Sequence, residues 1–563
     1  MKPAHEKYIP FVPLKMTRRA WPDRELKAPP VWCSVDLRDG NQALIDPMNV
    51  REKLELFHTL VDIGVKEIEV GFPSASETEY EFIRTLIEGG HIPDDVTIQV
   101  LVQAREHLIR RTFEAIDGAK HVIFHFYNST STLQRKVVFH TDVEGVKKIA
   151  VDAARLIREL SQPALDAGMD LRYEYSPESF MGTEMDAAVE ICQAVIEAIG
   201  ATPEHKVILN LPTTVENCMP NYFADEIEYF ISRLPGRDRA IISLHPHNDR
   251  GEGVATAELG LLAGAERVEA TLFGNGERTG NVDMVTLALN LYTQGVDPKL
   301  DFSDINKIRD VYERVTKMKI GERQPYVGEL VFTAFSGSHQ DAINKGTRYM
   351  EESGTEYWEV PYLPIDPADV GRQYEPIIRI NSQSGKGGSA FVMQHSFGFD
   401  LPKAMHPEFG HIVQVETDRV GKELKPNAIY DLFKTHYIDA VKPYQLVQHS
   451  FAEFTDEAGH SHVTFAGTIR HTDTVFQVQG SGNGPINAFF NAIHGQKMDR
   501  FTFIDYKEHA VKQGSDSQAV AYIHLQDENG RDWFGVGMSH NINLAPLKGI
   551  LSAINRAVSH DGK

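Results

Sequence analysis

Eight short apolar runs lie between residues 31 and 272, and amphipathic stretches separate them. β-branched and aromatic residues dominate the runs, which have the length of strands. The stretches have the length and period of helices, for example at 50–64, 142–160, 253–265 and near 283–294. The runs are VWCSVD (31–36), EIEVG (67–71), TIQVLV (97–102), HVIFHF (121–126), LRYEY (171–175), VILNL (207–211), IISLH (241–245) and VEATL (268–272).

Eight β/α units in about 270 residues predict a TIM barrel, an α/β fold in which eight parallel strands close into a cylinder. A doubly wound open sheet is the alternative for such an alternation. The count of eight favours the barrel. So does the position of polar motifs directly after several runs, because barrel enzymes keep their active sites at the C-terminal ends of the strands.

The rest of the chain predicts an arm, a linking region and a C-terminal module. Residues 1–30 contain six prolines and predict an extended N-terminal arm. The barrel domain is expected over 31–328, with a charged helical connector at 296–328. Less periodic sequence at 329–438 predicts small linking subdomains, and a change of rhythm marks a separate domain at 439–563.

This last domain is predicted to be α+β and to contain an internal repeat. Three strand-like runs followed by a helix-like run occur twice, which is a repeated βββα pattern. Each strand group ends in Gly-x-Gly, first at 480–482 and then at 535–537. Such a pair can form a pseudo-twofold groove, which would suit a small effector and predicts a regulatory role.

Length, charge and cysteine usage exclude several classes of protein. A chain of 563 residues is too long for one core, and 42% hydrophobic with 24% charged residues is typical of globular proteins. A formal net charge of -22 argues against nucleic acid or an anionic membrane as the main partner. Three cysteines without metal or disulfide spacing, and no signal peptide or membrane span, indicate a reducing cytoplasm.

Four polar residues after three of the runs predict a metal site. His245 and His247 end the seventh run, and two residues apart on a strand they face the same way. Asp39 follows the first run and Asn281 the eighth, and strands 7, 8 and 1 are contiguous in a closed barrel. Two imidazoles, one carboxylate and one carboxamide suit a divalent ion that polarises a 2-oxo acid. The alternative for the histidine pair alone is two exposed strand-end side chains.

Two glycine-rich segments do not match nucleotide-binding loops. In NSQSGKGG (381–388) the lysine precedes a glycine and lacks the Walker spacing, so a tight turn is favoured over a loop near phosphates. In GSGNGP (480–485) a proline stands where a dinucleotide fingerprint needs its third glycine. That proline can instead start the following helix.

The motifs DLRDGNQ, LHPHND, FGNGERTGN, SGSHQDAINKG and NSQSGKGG resemble those of the α-isopropylmalate synthases, over essentially the whole chain. The N-terminal arm and the spacing are similar to the longer-chain branch of that family. The barrel motifs are shared with homocitrate, citramalate and hydroxymethylglutaryl-type relatives. They therefore specify the reaction class better than the substrate.

The resemblance implies an acyltransferase that condenses acetyl-CoA with 3-methyl-2-oxobutanoate in a Claisen-type reaction. The products would be (2S)-2-isopropylmalate and CoA, at the first committed step of leucine biosynthesis. It also implies a divalent metal (Mg²⁺, Mn²⁺ or Zn²⁺), K⁺ as an activator, a homodimer and feedback inhibition by leucine. The metal ligands implied are Asp39, His245, His247 and Asn281.

The same resemblance implies the other site residues. Arg38 would hold the 2-oxo acid and the oxygen that becomes anionic, which suits a fixed cation; an ion pair with Asp36 or Asp39 is its alternative role. The residues implied to line the 2-oxo acid pocket are His125, Ser176, Asn210 and Thr214, with Leu101 and Pro212 as apolar wall. The residues implied to bind leucine, through freed backbone groups, are Gly480, Gly482, Gly484 and Pro485.

Carbanion formation at the acetyl methyl needs a base. Glu178 and His339 are the candidates that the resemblance implies, with Tyr362 placed near the same chemistry. The alternatives are a hydrogen bond at a helix start for His339 and simple packing for Tyr362.

Two other functions compete with this reading. A lyase or biotin-dependent carboxyltransferase can use the same barrel, but carboxyltransferases usually place a lysine in it, and the barrel mouths offer no obvious candidate. A metal-binding regulatory protein with a degenerate barrel is disfavoured by the intact set of Arg38, Asp39, His245 and His247.

Overall fold

The computed structural model describes residues 3–334, 336–374, 388–420, 424–438, 440–455, 461–494, 498, 500–511 and 517–561. The chain forms two compact units. The first comprises Met1–Phe332 and Pro364–Gln373, and the second comprises Thr333–Leu363 and Tyr374–Lys563. Most of the glycine-rich segment 381–388 lies outside the described residues. Among those described, no helix is long and apolar enough to cross a membrane.

The first unit contains the predicted barrel. Eight parallel strands follow one another in sequence order around a closed sheet, and β1 pairs with β8 to complete it. All eight predicted runs correspond to strands. These are β1 (Val31–Ser34), β2 (Glu67–Gly71), β3 (Thr97–Gln103), β4 (His121–Ser129), β5 (Asp170–Glu178), β6 (Val207–Thr213), β7 (Ala240–Pro246) and β8 (Arg267–Ala270).

Helices follow each strand, and polar caps set where several of them begin. Asn49 and Glu52 form a capping box, and Ser76 and Asp142 cap two further helices. The helices are α1 (Val50–Ile63), α2 (Glu77–Glu88), α3 (Glu106–Ile116), α4 (Thr132–Gln134), α5 (Val143–Asp166), α6 (Met185–Ile199), α7 (Pro220–Arg233), α8 (Gly253–Leu262), α9 (Met284–Tyr292) and α10 (Ile305–Thr316). The predicted helical connector at 296–328 is therefore helical only over α10.

The N-terminal arm is anchored on α7. Arg19 forms an ion pair with the buried Asp225 at 2.7 Å, and the Trp21 indole donates to the same carboxylate at 2.9 Å. The backbone N–H groups of Ala20 and Trp21 donate to Glu228. The arm thus satisfies two carboxylates of one helix.

The barrel interior is unusually polar. Barrels of this type are normally filled by branched apolar side chains. Here the strands place several charged or amide side chains in the interior, each at most 5% exposed. They are Glu67, Glu69, Gln99, Glu174, Arg267 and Glu269. Hydrogen bonds and ion pairs connect them, as buried polar groups require.

The second unit confirms the predicted βββα repeat. Two separate three-stranded antiparallel sheets are present, ordered β11-β10-β9 and β12-β13-β14, and each precedes a helix. The elements are α11 (Gly337–Ser353), α12 (Gly388–Phe397), α13 (His406–Val420), α14 (Pro426–Phe433), β9 (Tyr444–Thr455), β10 (Ser461–His471), β11 (Thr474–Gly482), α15 (Pro485–Ile493), β12 (Phe501–Ala510), β13 (Ala519–Asp527), β14 (Asp532–Ser539) and α16 (Leu544–Asp561).

The Gly-x-Gly pairs allow each helix to lie against its own sheet. A Cβ atom at Gly480 would lie 2.4 Å from the backbone nitrogen of Ala492 in α15. In the second repeat, a Cβ at Gly535 would lie 2.3 Å from the nitrogen of Ala553 in α16. Any side chain at these positions would therefore push the helix away.

In the part of the chain that the structure describes, helices α12, α13 and α14 pack against the second sheet. Alternate residues of β13 and β14 face them, as the two-residue period of a strand requires. The resulting core contains Val392, Met393, Phe409, Val413, Ile429 and Phe433 from the helices and Val520, Tyr522, Phe534 and Val536 from the strands.

Candidate active site

Asp39, His245 and His247 converge at the C-terminal end of the barrel. One ligand atom from each lies within 4.8 Å of the others, and all three residues are buried. The Nε2 atom of His245 is 3.2 Å from Oδ2 of Asp39, and Nε2 of His247 is 3.9 Å from the same oxygen. The three side chains thus have the composition and spacing of a metal-ligand set.

A π-helical turn, Asp36–Gly40, presents Asp39 to the two histidines. The carbonyl oxygen of Val35 accepts hydrogen bonds from three successive N–H groups of this turn. The Asp36 carboxylate accepts a hydrogen bond at 3.1 Å from the backbone of Leu272, just after β8. The loops after β1 and β8 are therefore held together, as the barrel topology predicted.

The two histidines have different electrostatic surroundings. Burial lowers the pKa of His245, but hydrogen bonds to Asp39 and Glu269 outweigh it and raise that pKa to about 9. Burial and the neighbouring His245 lower the pKa of His247 to about 4. Burial would raise the pKa of Asp39, but Arg38 and His245 hold it well below its usual range. The site therefore keeps a carboxylate and at least one neutral imidazole available.

Asn281 lies beside His247, in the loop after β8. Its backbone bridges that of His247, and its Nδ2 donates to Asn275 at 3.0 Å. Among the described residues, Oδ1 of Asn281 and Nδ1 of His247 are buried without a hydrogen-bond partner. Such atoms are costly to bury unless something binds them. The residues present thus fit a divalent cation.

A cavity of about 350 Å³ opens beside these ligands. The predicted site residues of the first unit all line it, except Asn281. The predicted lining residues are Arg38, Asp39, Leu101, His125, Ser176, Glu178, Asn210, Pro212, Thr214, His245 and His247. The sequence did not point to the others, which are Gln42, Phe72, Tyr127, Glu277 and Arg278. No lysine is among the described residues of the lining.

Arg38 is fixed by carboxylates on both sides. It forms an ion pair with Glu69 and lies 3.4 Å from Asp39. The alternative ion pair with Asp39 is therefore present, but the one with Asp36 is not found. Glu69 is a partner that the sequence did not reveal. Its pairing leaves Arg38 lining the cavity, so both the structural and the substrate-binding roles are compatible.

Three of the pocket residues form a hydrogen-bonded row, and Thr214 and Glu178 have separate partners. His125 contacts Ser176 at 2.7 Å, and Asn210 donates to Ser176 at 3.1 Å. Thr214 accepts a hydrogen bond at 2.8 Å from the backbone of Ser179. The hydroxyl of Ser129 donates to Glu178, whose carboxylate also lines the cavity. A carboxylate base candidate therefore lies in the same cavity as the metal ligands.

A second buried group, Glu69, His125 and Glu269, also has metal-ligand spacing. The amide nitrogen of Gln99, however, lies 2.7 Å from Glu69, 3.2 Å from His125 and 2.7 Å from Glu269. This Nε2 atom occupies the place between them that an ion would need. The second group is therefore a hydrogen-bonded cluster.

His339 and Tyr362 lie together in the second unit. Their rings stack with centroids 4.0 Å apart and an angle of 22° between the planes. His339 is the third residue of α11 and Tyr362 is 61% exposed. Tyr362 also has a left-handed backbone with φ of 65°, which is strained for a residue with a side chain. Simple burial in a core does not explain this pair.

The loop before α15 contains the predicted effector residues. Gly480 and Gly482 belong to β11 and lie close against α15. Gly484 precedes the helix in an extended conformation, and Pro485 is its first residue, as predicted. A Cβ atom added at Gly484 would meet nothing within 4 Å. Of the three glycines, Gly484 is therefore the one where an added side chain would leave the packing of α15 undisturbed.

Three family models match successive parts of the chain. They are the HMGL-like family over residues 29–312, the post-catalytic domain of α-isopropylmalate synthase over 329–394, and the LeuA allosteric (dimerisation) domain over 423–558. These spans follow the barrel, the linking helices and the repeat described above.

Curated relatives match along their whole length. The 2-isopropylmalate synthase of Clostridium acetobutylicum is 53% identical over 98% of this chain and 99% of its own. That of Brucella suis is 53% identical over 99% of both chains, and that of Mesorhizobium japonicum is 52% identical over 100% of both. The chain therefore belongs to the 2-isopropylmalate synthase family of acyltransferases.

Proposed function

We propose that this protein condenses acetyl-CoA with 3-methyl-2-oxobutanoate to give (2S)-2-isopropylmalate and CoA. The observation that supports this most strongly is the cavity that places Arg38, Glu178 and the metal-ligand set side by side. A cation, a carboxylate base candidate and a Lewis-acid site are the groups that such a condensation needs. Homocitrate or citramalate synthesis is the alternative, since the barrel motifs are shared.

Asp39, His245, His247 and Asn281 would hold a divalent metal, Mg²⁺, Mn²⁺ or Zn²⁺. When bound, the metal would polarise the keto carbonyl of the 2-oxo acid. Its ligand set carries one negative charge from Asp39, so the loaded site stays positive and attracts an anionic substrate. Glu269 accepts a hydrogen bond from Nδ1 of His245 at 2.7 Å, which fixes the ring.

The chain's own residues would orient the 2-oxo acid. Arg38, held by Glu69, supplies a fixed cation for the substrate carboxylate and for the oxygen that becomes anionic. The polar side chains that line the cavity, His125, Ser176, Asn210 and Thr214, supply hydrogen bonds, while Leu101 and Pro212 form an apolar wall for the alkyl group.

Glu178, His339 and Tyr362 are proposed to act on the acetyl group. Glu178 lies in the cavity and can accept a proton from the acetyl methyl, directly or through water. His339 is supported by its exposed position and its stacking on the strained Tyr362. Strained, exposed aromatic residues are common at active sites.

We also propose that leucine inhibits the enzyme through Gly480–Pro485 and that the active form is a cytoplasmic homodimer activated by K⁺. The match to an allosteric and dimerisation domain supports the first two points. Val447, Phe454 and Val475 on the strands of the first repeat are 48%, 60% and 56% exposed, and we propose that a second copy covers them.

The substrate is tested by measuring release of free CoA thiol from acetyl-CoA with a panel of 2-oxo acids. Fastest turnover is expected with 3-methyl-2-oxobutanoate. A higher kcat/KM with 2-oxoglutarate or pyruvate would replace this proposal with homocitrate or citramalate synthesis.

The metal site is tested with the double variant His245→Ala/His247→Ala. It should lose bound metal and turnover together, because one carboxylate and one amide cannot hold the ion. One equivalent of metal per chain and normal turnover in the purified variant would reject this ligand set.

The base is tested with His339→Ala and acetyl-CoA in deuterated water. Exchange of the acetyl protons should slow more than binding of the 2-oxo acid weakens. An unchanged exchange rate would remove His339 from the mechanism and leave Glu178 as the candidate.

A further inference from the structure

Gln99 lies at the centre of the barrel's polar interior, directly beneath the cavity residues. It is on β3 and fully buried. Its amide nitrogen donates to Oε2 of Glu69 and to Oε1 of Glu269, each at 2.7 Å. One side-chain NH₂ group therefore bridges two carboxylates that project from β2 and β8, the two strands that flank β1.

The orientation of this amide is fixed by its neighbours. Its oxygen accepts a hydrogen bond from Nη2 of Arg267 at 2.6 Å, and an arginine can only donate. Its nitrogen faces the two carboxylates, which accept when ionised. A rotated amide would place oxygen against carboxylate oxygens and nitrogen against guanidinium, so only one orientation satisfies all three neighbours.

Each bridged carboxylate holds a different part of the site. Glu69 forms the ion pair with Arg38 and contacts Nδ1 of His125 at 2.8 Å. These are the residues that face the 2-oxo acid. The position of Glu69 therefore sets the position of the substrate-binding cation.

Glu269 holds the metal side. Its Oε2 contacts Nδ1 of His245 at 2.7 Å and accepts a hydrogen bond from Asn210 at 2.9 Å. Two carboxylates this close together repel unless a donor lies between them. Gln99 is that donor, and it keeps the two halves of the site at a fixed separation.

We propose that Gln99 is a positioning residue that sets the metal ligand His245 and the substrate cation Arg38 relative to each other. It acts through Glu269 and Glu69 and does not touch the substrate. This inference rests on the proposed function, since it concerns the same metal and the same 2-oxo acid.

The test uses the full-length protein with Gln99→Met, which keeps length and removes the donor, and Gln99→Asn, which keeps the amide but is too short to reach both carboxylates. Ile98→Val is the matched control. Ile98 is also fully buried on β3, but its side chain points away from the interior network. The melting temperature shows whether each variant folds. If Gln99→Met does not fold, the test is made with Gln99→Asn.

Two readouts report the two sides of the site. Mn²⁺ affinity of the metal-stripped protein, measured by electron paramagnetic resonance, reports His245. The KM for 3-methyl-2-oxobutanoate reports Arg38. In a folded Gln99 variant both should worsen by about 10- to 100-fold, the usual effect of losing a residue that orients a metal ligand. Ile98→Val should lower the melting temperature while leaving both values unchanged.

A folded Gln99 variant with wild-type Mn²⁺ affinity and wild-type KM would overturn the inference. A change on one side alone would also overturn it, because the bridge would then not couple the two halves. If the wild-type protein neither binds Mn²⁺ nor releases CoA, the proposed function itself is wrong. That result differs from the two variant outcomes above, which concern Gln99 alone.

Discussion

Glu269 is the residue on which the metal side of the site depends most. Its carboxylate contacts His245, Asn210, Gln99 and Arg267, all at 3.1 Å or less. A carboxylate on the far nitrogen of a metal-binding histidine selects the tautomer and strengthens the ligand. Residues that do not touch the ion can therefore decide how tightly it is held.

Glu269→Gln should lower metal affinity by about 10- to 100-fold, because a neutral amide is a weaker partner for the His245 ring. Glu67→Gln is the matched control. Glu67 is also buried and also binds Arg267, at 2.7 Å, but its other partner is Arg172 and not a metal ligand. Titration of both stripped variants with Mn²⁺ checks this. Equal affinities would show that the hydrogen bond to His245 does not control metal binding.

The sequence predicted the residues at the strand ends but not the carboxylates behind them. Asp39, His245 and His247 stand in polar motifs after apolar runs, so their position was visible. Glu69 and Glu269 stand within the runs EIEVG and VEATL. A charged residue in a strand buried on both faces was itself a signal, because it needs a buried partner. Sequence spacing could not show which residues pair with Glu69 and Glu269, since these contacts join different strands.

At the level of elements, apolar patterning found every strand but misplaced several ends. β4 and β5 extend to Ser129 and Glu178, beyond the predicted ends at 126 and 175. Of their last residues, Tyr127, Ser176 and Glu178 line the cavity, and backbone pairing between the two strands continues to Ser129 and Glu178. An apolar run therefore ends before the strand does, because polar side chains continue it.

The Gly-x-Gly segments show that one motif can serve packing in both repeats. At Gly482 a Cβ would lie 2.3 Å from Oδ1 of Asn487 and 2.6 Å from the nitrogen of Ala488. A valine at Gly482 would therefore displace α15. A loss of leucine inhibition in that variant could then result from the disturbed fold and not from a lost binding site. Gly484 is a better position for a test, since it is extended and has open space around it.

Gly484→Val should greatly reduce leucine inhibition while basal condensation and melting temperature stay near wild type, because the new side chain projects only into the proposed effector loop. Gly482→Ala is the comparison and should lower the melting temperature through its clash with α15. Initial rates against leucine concentration give the answer. Unaltered inhibition in Gly484→Val would mean that leucine does not bind at this loop.

At the level of the whole molecule, sequence periodicity could not show which segments belong together. The segment Pro364–Gln373 belongs to the first unit, although residues on both sides of it belong to the second. Arg372 donates to the carbonyl oxygens of Val327 and Gly328, and Tyr292 donates to Asp369 at 3.1 Å. These contacts join residues far apart in sequence, so local sequence patterns could not predict them.

Within the second unit, one polar contact joins the linking helices to the end of the repeat. Glu408 on α13 accepts hydrogen bonds from the Tyr437 hydroxyl and from Arg556 on α16, both at 2.7 Å. The Arg556 guanidinium also lies 4.1 Å from the centre of the Tyr437 ring. Since α12–α14 pack against the second sheet, we expect an effect of leucine on the repeat to be transmitted through contacts of this kind.

Glu408→Ala should therefore weaken leucine inhibition without removing basal activity. A coupling free energy is typically about 1–3 kcal/mol, so losing a main contact on its route should raise the half-inhibitory leucine concentration about 5-fold or more. Glu416→Ala is the matched control, because Glu416 lies on the same helix but pairs only locally with Arg419, at 2.5 Å. Inhibition curves and melting temperatures are measured for wild type and both variants. Together they distinguish a weaker leucine effect from a less stable protein. If Glu408→Ala and Glu416→Ala give the same curve as wild type, the leucine signal does not pass through the contact between α13 and α16.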